Sequence, residues 1–190
     1  MLCYGPIPNK EWIDMKDHTI RQLVMAAMFA ALTCVATMCI PIPTPVTGGY
    51  VNVGDTVVLL SAWLLGGFYG AFAAGMGSAL ADLLSGYAYY VPGTFLIKGL
   101  MALAAYMLFS YLAKKQAPKT VRYLVSAVAA EAIMVAGYFL YASMILGKGL
   151  AAASSIGGNL VQGFVCTVLA AACVSVLNVA KIPAGQFLSR

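Results

Sequence analysis

Long stretches of the chain carry no charged side chain, at 22–54, 56–81, 83–97, 99–113, 132–147 and 149–180, and single charges or short clusters separate them. Runs of this length predict helices that cross a bilayer, because a transmembrane helix needs about 20 apolar residues. Turn residues set the boundaries. Pro41, Pro43 and Pro45, followed by Gly48 and Gly49, end a first helix near Ile40, since a proline lacks the backbone donor and disfavours helix in the residue before it. Gly66-Gly67 divides the next run into a second helix over 54–65 and a third over 68–84. A fourth over 94–113, a fifth over 122–146 and a sixth over 158–180 complete the pattern. The expected fold is an all-α integral membrane protein with six transmembrane helices. They occupy 20–182, between a polar N-terminal extension at 1–19 and a short tail at 183–190.

Composition agrees with that pattern. Of 190 residues 62% are hydrophobic and only 9% charged, with a mean hydropathy of +0.89, whereas soluble domains carry roughly a quarter charged residues. Six spans use ~120 residues and leave no room for a soluble catalytic domain. A net charge of +5 would suit nucleic acid if the basic residues formed a patch among aromatics. They are scattered instead, and topology explains them. With both termini cytoplasmic, nine lie inside (Lys10, Lys16, Arg21, Lys114, Lys115, Lys119, Arg122, Lys181, Arg190) and two outside (Lys98, Lys148), as the positive-inside rule requires. The first apolar run is too long for a signal-peptide core and lacks a small-residue cleavage site, so it reads as a retained helix. Five cysteines without a CxxC pair or histidine partner imply neither zinc nor a disulfide framework. Motifs for ATP, peptide or ester hydrolysis are missing, so an enzyme is not expected, nor a cofactor or metal.

Four ionisable groups fall inside or at the edge of the apolar runs: Asp55, Asp82, Lys98 and Glu131. A charge near the bilayer centre costs roughly 2.5–3.5 kcal/mol on insertion scales, so such groups face a protein interior or a wet cavity. Glu131 lies mid-membrane in the fifth helix and shares a face with Met134, Tyr138 and Tyr141. That stripe either lines a pocket or holds Glu131 against a neighbouring helix. Asn159 and Gln162, three apart behind Gly157-Gly158, share a face at the outer end of the sixth helix. Their amides offer donors and acceptors to a neutral heterocycle, or bond between helices. Lys98 contacts ligand or pairs with Asp82, and Asp55 reads as an N-terminal cap of the second helix. Tyr50, Tyr87, Tyr89 and Tyr90 form an interfacial belt or supply one or two rings to stack on a flat ligand. Small residues recur every four positions in the third helix (Gly66, Gly70, Ala74, Ser78 and Gly67, Ala71, Gly75, Ala79) and in the first (Ala26/Ala30 and Ala27/Ala31), where backbones can approach closely.

These residues resemble the substrate-binding S component of an energy-coupling factor (ECF) vitamin transporter, of the riboflavin, pyridoxine or hydroxymethylpyrimidine type. The resemblance is carried by Ala-Ala-Met-Phe-Ala-Ala-Leu-Thr (26–33), Ile-Pro-Ile-Pro (40–43), Gly-Gly-Tyr-Val-Asn-Val-Gly-Asp (48–55), Gly-Ser-Ala-Leu-Ala-Asp-Leu-Leu-Ser-Gly-Tyr (77–87), Ile-Lys-Gly-Leu (97–100), Glu-Ala-Ile-Met-Val-Ala-Gly-Tyr-Phe-Leu (131–140) and Gly-Asn-Leu-Val-Gln-Gly (158–163). It implies a six-helix S-component bundle in the bacterial plasma membrane with a high-affinity site near the outer face. Helices four to six build that site and the loop between helices one and two caps it. It further implies that Ala26/Ala30 or Ala27/Ala31 dock on a transmembrane coupling protein that bears two ATPase subunits.

The expected function is therefore binding of a small heteroaromatic vitamin or precursor for uptake: a B6-type compound, hydroxymethylpyrimidine, riboflavin or a deazapurine. The expected binding residues are Glu131, Tyr138, Asn159, Gln162 and Lys98, with Tyr89 or Tyr90 stacking. The rival readings are a stand-alone small transporter or channel, for which inverted repeats with broken helices are not evident, and a ligand-free membrane scaffold.

Overall fold

The computed structural model describes residues 10–44 and 49–179. Residues 1–9 of the expected extension, Lys181, Arg190 and the tail at 183–190 lie outside the described residues. Six α-helices follow in order: α1 (Lys10–Cys39), α2 (Gly54–Leu64), α3 (Gly67–Leu84), α4 (Val91–Lys114), α5 (Lys119–Leu140) and α6 (Ser154–Val179). A π-helical turn, Tyr141–Ile145, prolongs α5, and a 3-10 turn, Gly149–Ala153, leads into α6. Among the described residues, four segments are long and apolar enough to cross a membrane, Thr19–Cys39, Val91–Lys114, Lys119–Ile145 and Gly149–Leu177, and α2 is a shorter apolar helix.

Local chemistry accounts for most boundaries. Gly66 and Gly67 take φ of 68° and 43°, a left-handed conformation open to glycine, and this breaks α2 from α3. Pro92 lies in the first turn of α4, where its missing N–H costs nothing, so α4 begins at Val91 rather than near 94. Helix α1 starts at Lys10, so the second half of the polar extension continues the first span. The proline loop contains a pairing the apolar pattern did not predict. Strands β1 (Ile42–Thr44) and β2 (Gly49–Val51) run antiparallel with Ile42 opposite Val51 and Pro43 opposite Tyr50, and a two-stranded ribbon tolerates proline because it has free edges.

Helix α3 packs on α1 and α4, α4 on α5, and α2 is wedged among α3, α4 and α6. The core is built from Val58, Leu59 and Trp63 of α2, Met101 of α4, Met134 of α5 and Ala170 of α6. Trp63 donates its indole N–H to Ser126 Oγ at 3.0 Å, which satisfies the one polar atom of that buried ring. Leu96, Met107, Val128, Leu160 and Phe164 are among the large apolar side chains left on the outside. In water such a surface would mark an interface or an aggregation hazard; in a bilayer it is the solvent-facing side.

The small residues of α3 serve internal packing. A Cβ at Gly70 would meet the Ser61 carbonyl at 2.6 Å and one at Gly75 the Phe95 carbonyl at 2.7 Å. One at Gly77 would collide with the Ala30 carbonyl of α1. Gly77→Ala is expected to lower the melting temperature of the detergent-purified protein, since overpacking costs typically 1–3 kcal/mol. Gly99→Ala is the matched control, because its Cβ meets only the Ala71 carbonyl at an ordinary 3.6 Å. Equal melting temperatures for the two variants would contradict the close α1–α3 contact.

Candidate functional site

Three of the four ionisable residues of the apolar runs, Asp55, Lys98 and Glu131, converge where α2, α4, α5 and α6 meet, and Asp82 lies on α3 beneath the β1–β2 hairpin. Asp55 sits in the first turn of α2 and is wholly buried. It makes no side-chain cap of that helix. Its Oδ1 instead forms an ion pair with Lys98 Nζ of α4, and its Oδ2 accepts from Gln162 Nε2 of α6 at 2.5 Å. Both expectations for these residues are thus corrected: Asp55 is not a cap, and Lys98 pairs with Asp55 rather than Asp82. The dipole of a short buried helix is a weaker partner than an ammonium group brought alongside in a medium of low dielectric.

Gln162 is held at both ends. Its Oε1 accepts the backbone N–H of Asn52 at 2.7 Å, which assigns the orientation of the amide. Asn52 Oδ1 in turn accepts the N–H of Gly54 at 2.8 Å, a local turn that carries the chain from β2 into α2. The thiol of Cys166, one turn beyond Gln162, lies 3.6 Å from the Asn52 carbonyl.

Asp82 accepts a hydrogen bond from Tyr50 Oη at 2.7 Å. Burial first, and the adjacent Asp82 charge second, push the Tyr50 phenol above the ordinary tyrosine value, so Tyr50 is the donor. The hairpin is therefore pinned twice, through Tyr50 to α3 and through Asn52 to α6. The Tyr50 ring also lies 4.7 Å from that of Tyr87.

Tyr138 of α5 stands beside the ion pair. Lys98 Nζ is 5.3 Å from its ring centroid, within cation–π range, and its hydroxyl lies 3.1 Å from Thr94 Oγ1 as donor. Tyr90 is buried, with ring centroids 6.2 Å from Tyr138 and 5.9 Å from Tyr141. Tyr89 is half exposed and its carbonyl accepts from Tyr141 Oη at 2.8 Å. Of the two candidate stacking rings, Tyr90 is part of the aromatic wall and Tyr89 lies on the rim.

Among the described residues, Glu131 differs from the other buried charged groups in having no partner at either oxygen, whereas Asp82 lacks one at Oδ2 alone. Glu131 is 6% exposed, yet neither carboxyl oxygen has a hydrogen-bond partner, so the alternative of a bond to a neighbouring helix is not realised. Gly163 of α6 makes the close approach possible, because a Cβ there would come within 3.1 Å of Glu131 Oε2. Glu131 and Asn159 together border a cleft of about 500 Å³ between α5 and α6, otherwise apolar, with Val135, Phe139, Ile156 and Phe164 among its walls. The cleft is open on the side of Val128, Leu160 and Phe164; its size lies within the range of small-molecule sites, and apolar walls with a few convergent polar groups are their usual character. The expected residues thus form two adjoining parts: Lys98, Gln162 and Tyr138 in a closed polar network, and Glu131 with Asn159 on an open cleft. Asn52 is not among the binding residues expected from the sequence, and Asp55 and Tyr50 figure there as a cap and as a belt or stacking ring rather than as anchors of the network. Their signal is the 48–55 motif, which holds all three.

An apolar-surfaced helical bundle with a few buried polar groups around a small cleft is the architecture of a membrane-embedded binding subunit. The sequence model for the ECF-type riboflavin transporter S component matches residues 17–179, and the chain belongs to that family. It is 29% identical over 157 residues to the thiamine precursor transporter HmpT of Lactococcus lactis subsp. cremoris, a match covering 82% of this chain and 87% of that protein. It is 39% identical over 119 residues to an uncharacterized protein of Pyrococcus woesei, covering 63% of this chain and 76% of the relative. The solved S component of a bacterial ECF transporter has the same fold, with a TM-score of 0.60 at 19% identity over 90% of this chain and 99% of that one. The resemblance carried by the motifs is the family membership found here, and the chain is a multi-pass plasma-membrane subunit for uptake of a vitamin or vitamin precursor.

Proposed function

We propose that this chain is the high-affinity substrate-binding subunit of an ECF importer for a small heteroaromatic vitamin or precursor, seated against Glu131 and Asn159 and bordered by Gln162, Lys98, Tyr138 and Tyr90. One observation carries this reading: a buried carboxyl group with two unpartnered oxygens on the edge of a cleft of about 500 Å³. A buried polar group without a partner costs about 1–3 kcal/mol or more, and a ligand that donates hydrogen bonds to it recovers that cost on binding. The relative that transports a thiamine precursor favours a pyrimidine among the candidate compounds, and the family description keeps a flavin beside it.

Transport requires a coupling surface as well. On α1, Ala26 is buried against Leu65 and Ala73, and Ala30 packs with them, whereas Ala27 and Ala31 face outward. Ala27 and Ala31 are therefore the register we assign to the transmembrane coupling protein and its two ATPases. Both termini lie in the cytoplasm in this reading, supported by the nine-to-two distribution of basic residues.

The test is mass spectrometry of small molecules extracted from the detergent-purified protein, followed by uptake of the compound found into proteoliposomes. The expected result is a heteroaromatic ligand taken up only when the coupling protein and ATPases are present. Uptake by this chain alone would support a stand-alone transporter, and protein that carries and binds no small molecule would leave the scaffold reading.

A further inference from the structure

The cation of this site is already committed. Lys98 is 3% exposed and bound to Asp55, with the Tyr138 ring beside it and the Glu131 carboxyl within electrostatic range. Asp55 has both oxygens engaged, one by Lys98 and one by Gln162. The Gln162 amide is engaged at its oxygen by Asn52 and at its nitrogen by Asp55. The Lys98 ammonium and the Asp55 carboxylate are bound to each other, and their charges cancel. What remains toward the α5–α6 cleft is the Glu131 carboxyl, both oxygens unpartnered, and the Asn159 amide. By charge count the other basic residue on that side is Lys148, which belongs to the α5–α6 connection.

The geometry points to Asp55 as the residue that sets the ligand class, resting on the binding role proposed above. By holding Lys98 in an internal ion pair, Asp55 makes the site accept uncharged or cationic N–H-bearing heterocycles and refuse their phosphate or carboxylate derivatives. An anionic group entering the cleft meets Glu131 and finds no uncommitted ammonium, so it loses its hydration without compensation. A neutral ring with N–H donors meets acceptors instead. Asp55 acts through Lys98 and does not touch the cleft, so it is a positioning residue.

The experiment compares wild type with Asp55→Asn and Asp55→Ser by calorimetric titration in detergent. The probes are riboflavin and its 5′-phosphate, and 4-amino-5-hydroxymethyl-2-methylpyrimidine and its phosphate ester. In wild type the alcohol that binds is expected to do so at least ~100-fold more tightly than its phosphate, because a phosphate entering the cleft is stripped of water and meets no uncommitted cation. In both Asp55 variants the ratio is expected to fall below ~10-fold, through tighter binding of the phosphate. A purely structural role for Asp55 would weaken both members of a pair equally and leave their ratio unchanged. Both variants remove the charge bonded to Lys98, so they are purified with and without inorganic phosphate. The phosphate is expected to raise their melting temperature and not that of wild type. An unchanged ratio, a wild type that binds the phosphate as well as the alcohol, or variants that phosphate neither stabilises nor rescues would each overturn the inference. Wild type that binds none of the four probes counts against the proposed substrates alone, since gain of phosphate binding in the variants still decides the role of Asp55.

Discussion

Replacing Glu131 with alanine is expected to weaken substrate binding at least tenfold while leaving the ligand-free protein as stable as wild type or more so. The two halves of this result have one cause. In the bundle Glu131 makes no hydrogen bond, so its removal breaks nothing and relieves a desolvated polar group. In the complex it pairs with the ligand, and its removal leaves the ligand's buried polar group unsatisfied at up to about 3 kcal/mol, or up to about 150-fold in affinity. Asn159→Ala, on the same cleft, is expected to lower affinity by a similar factor. Calorimetric titration of the compound recovered from wild-type protein reads the affinity, and thermal unfolding without ligand reads the stability. Unchanged affinity in both variants would reject the cleft as the substrate site. A large fall in the stability of Glu131→Ala would show that the carboxyl has a structural partner.

Lys98→Met has the opposite signature, a loss of stability before any question of binding. Asp55 is wholly buried and Lys98 nearly so, and breaking such a pair from one side leaves an uncompensated charge at about 3–5 kcal/mol. For a chain of this size that corresponds to a melting temperature lower by roughly 10 °C. Adding Asp55→Asn to Lys98→Met removes the stranded charge and is expected to recover most of the loss, because a buried ion pair replaced as a unit is often close to neutral. A double variant no more stable than Lys98→Met would mean that Asp55 is solvated and that the ion pair does not hold α2 against α4.

The extent to which the site could be read from residues alone follows from how far apart its members are along the chain. Asn159 and Gln162 read as neighbours because residues three apart on one helix share a face. Even so, the structure sends Gln162 inward to Asp55 and leaves Asn159 on the cleft. Glu131 was singled out because its cost at mid-membrane demands a partner or a function. Asp55 was misread because a carboxylate at a helix start has a sufficient local explanation, and nothing local distinguishes a cap from half of an ion pair. The same limit applies to α1, where Ala26/Ala30 and Ala27/Ala31 are equivalent as spacings. They differ only once Gly77 of α3 draws one row against itself.

Residue order alone identifies a membrane bundle of six helices, the breaks between them to within a turn, and the family to which the chain belongs. Apolar run length, proline and glycine positions and local motifs are properties of contiguous residues, and the bilayer makes them decisive by excluding any unpaired backbone. Only the tertiary structure decided that Lys98 is bound to Asp55, 43 positions away, that Gln162 reaches the same carboxylate across 107, and that Glu131 is left without a partner. Those outcomes depend on which helices lie side by side and at what depth, and among four charges in an apolar chain several pairings satisfy the same local rules.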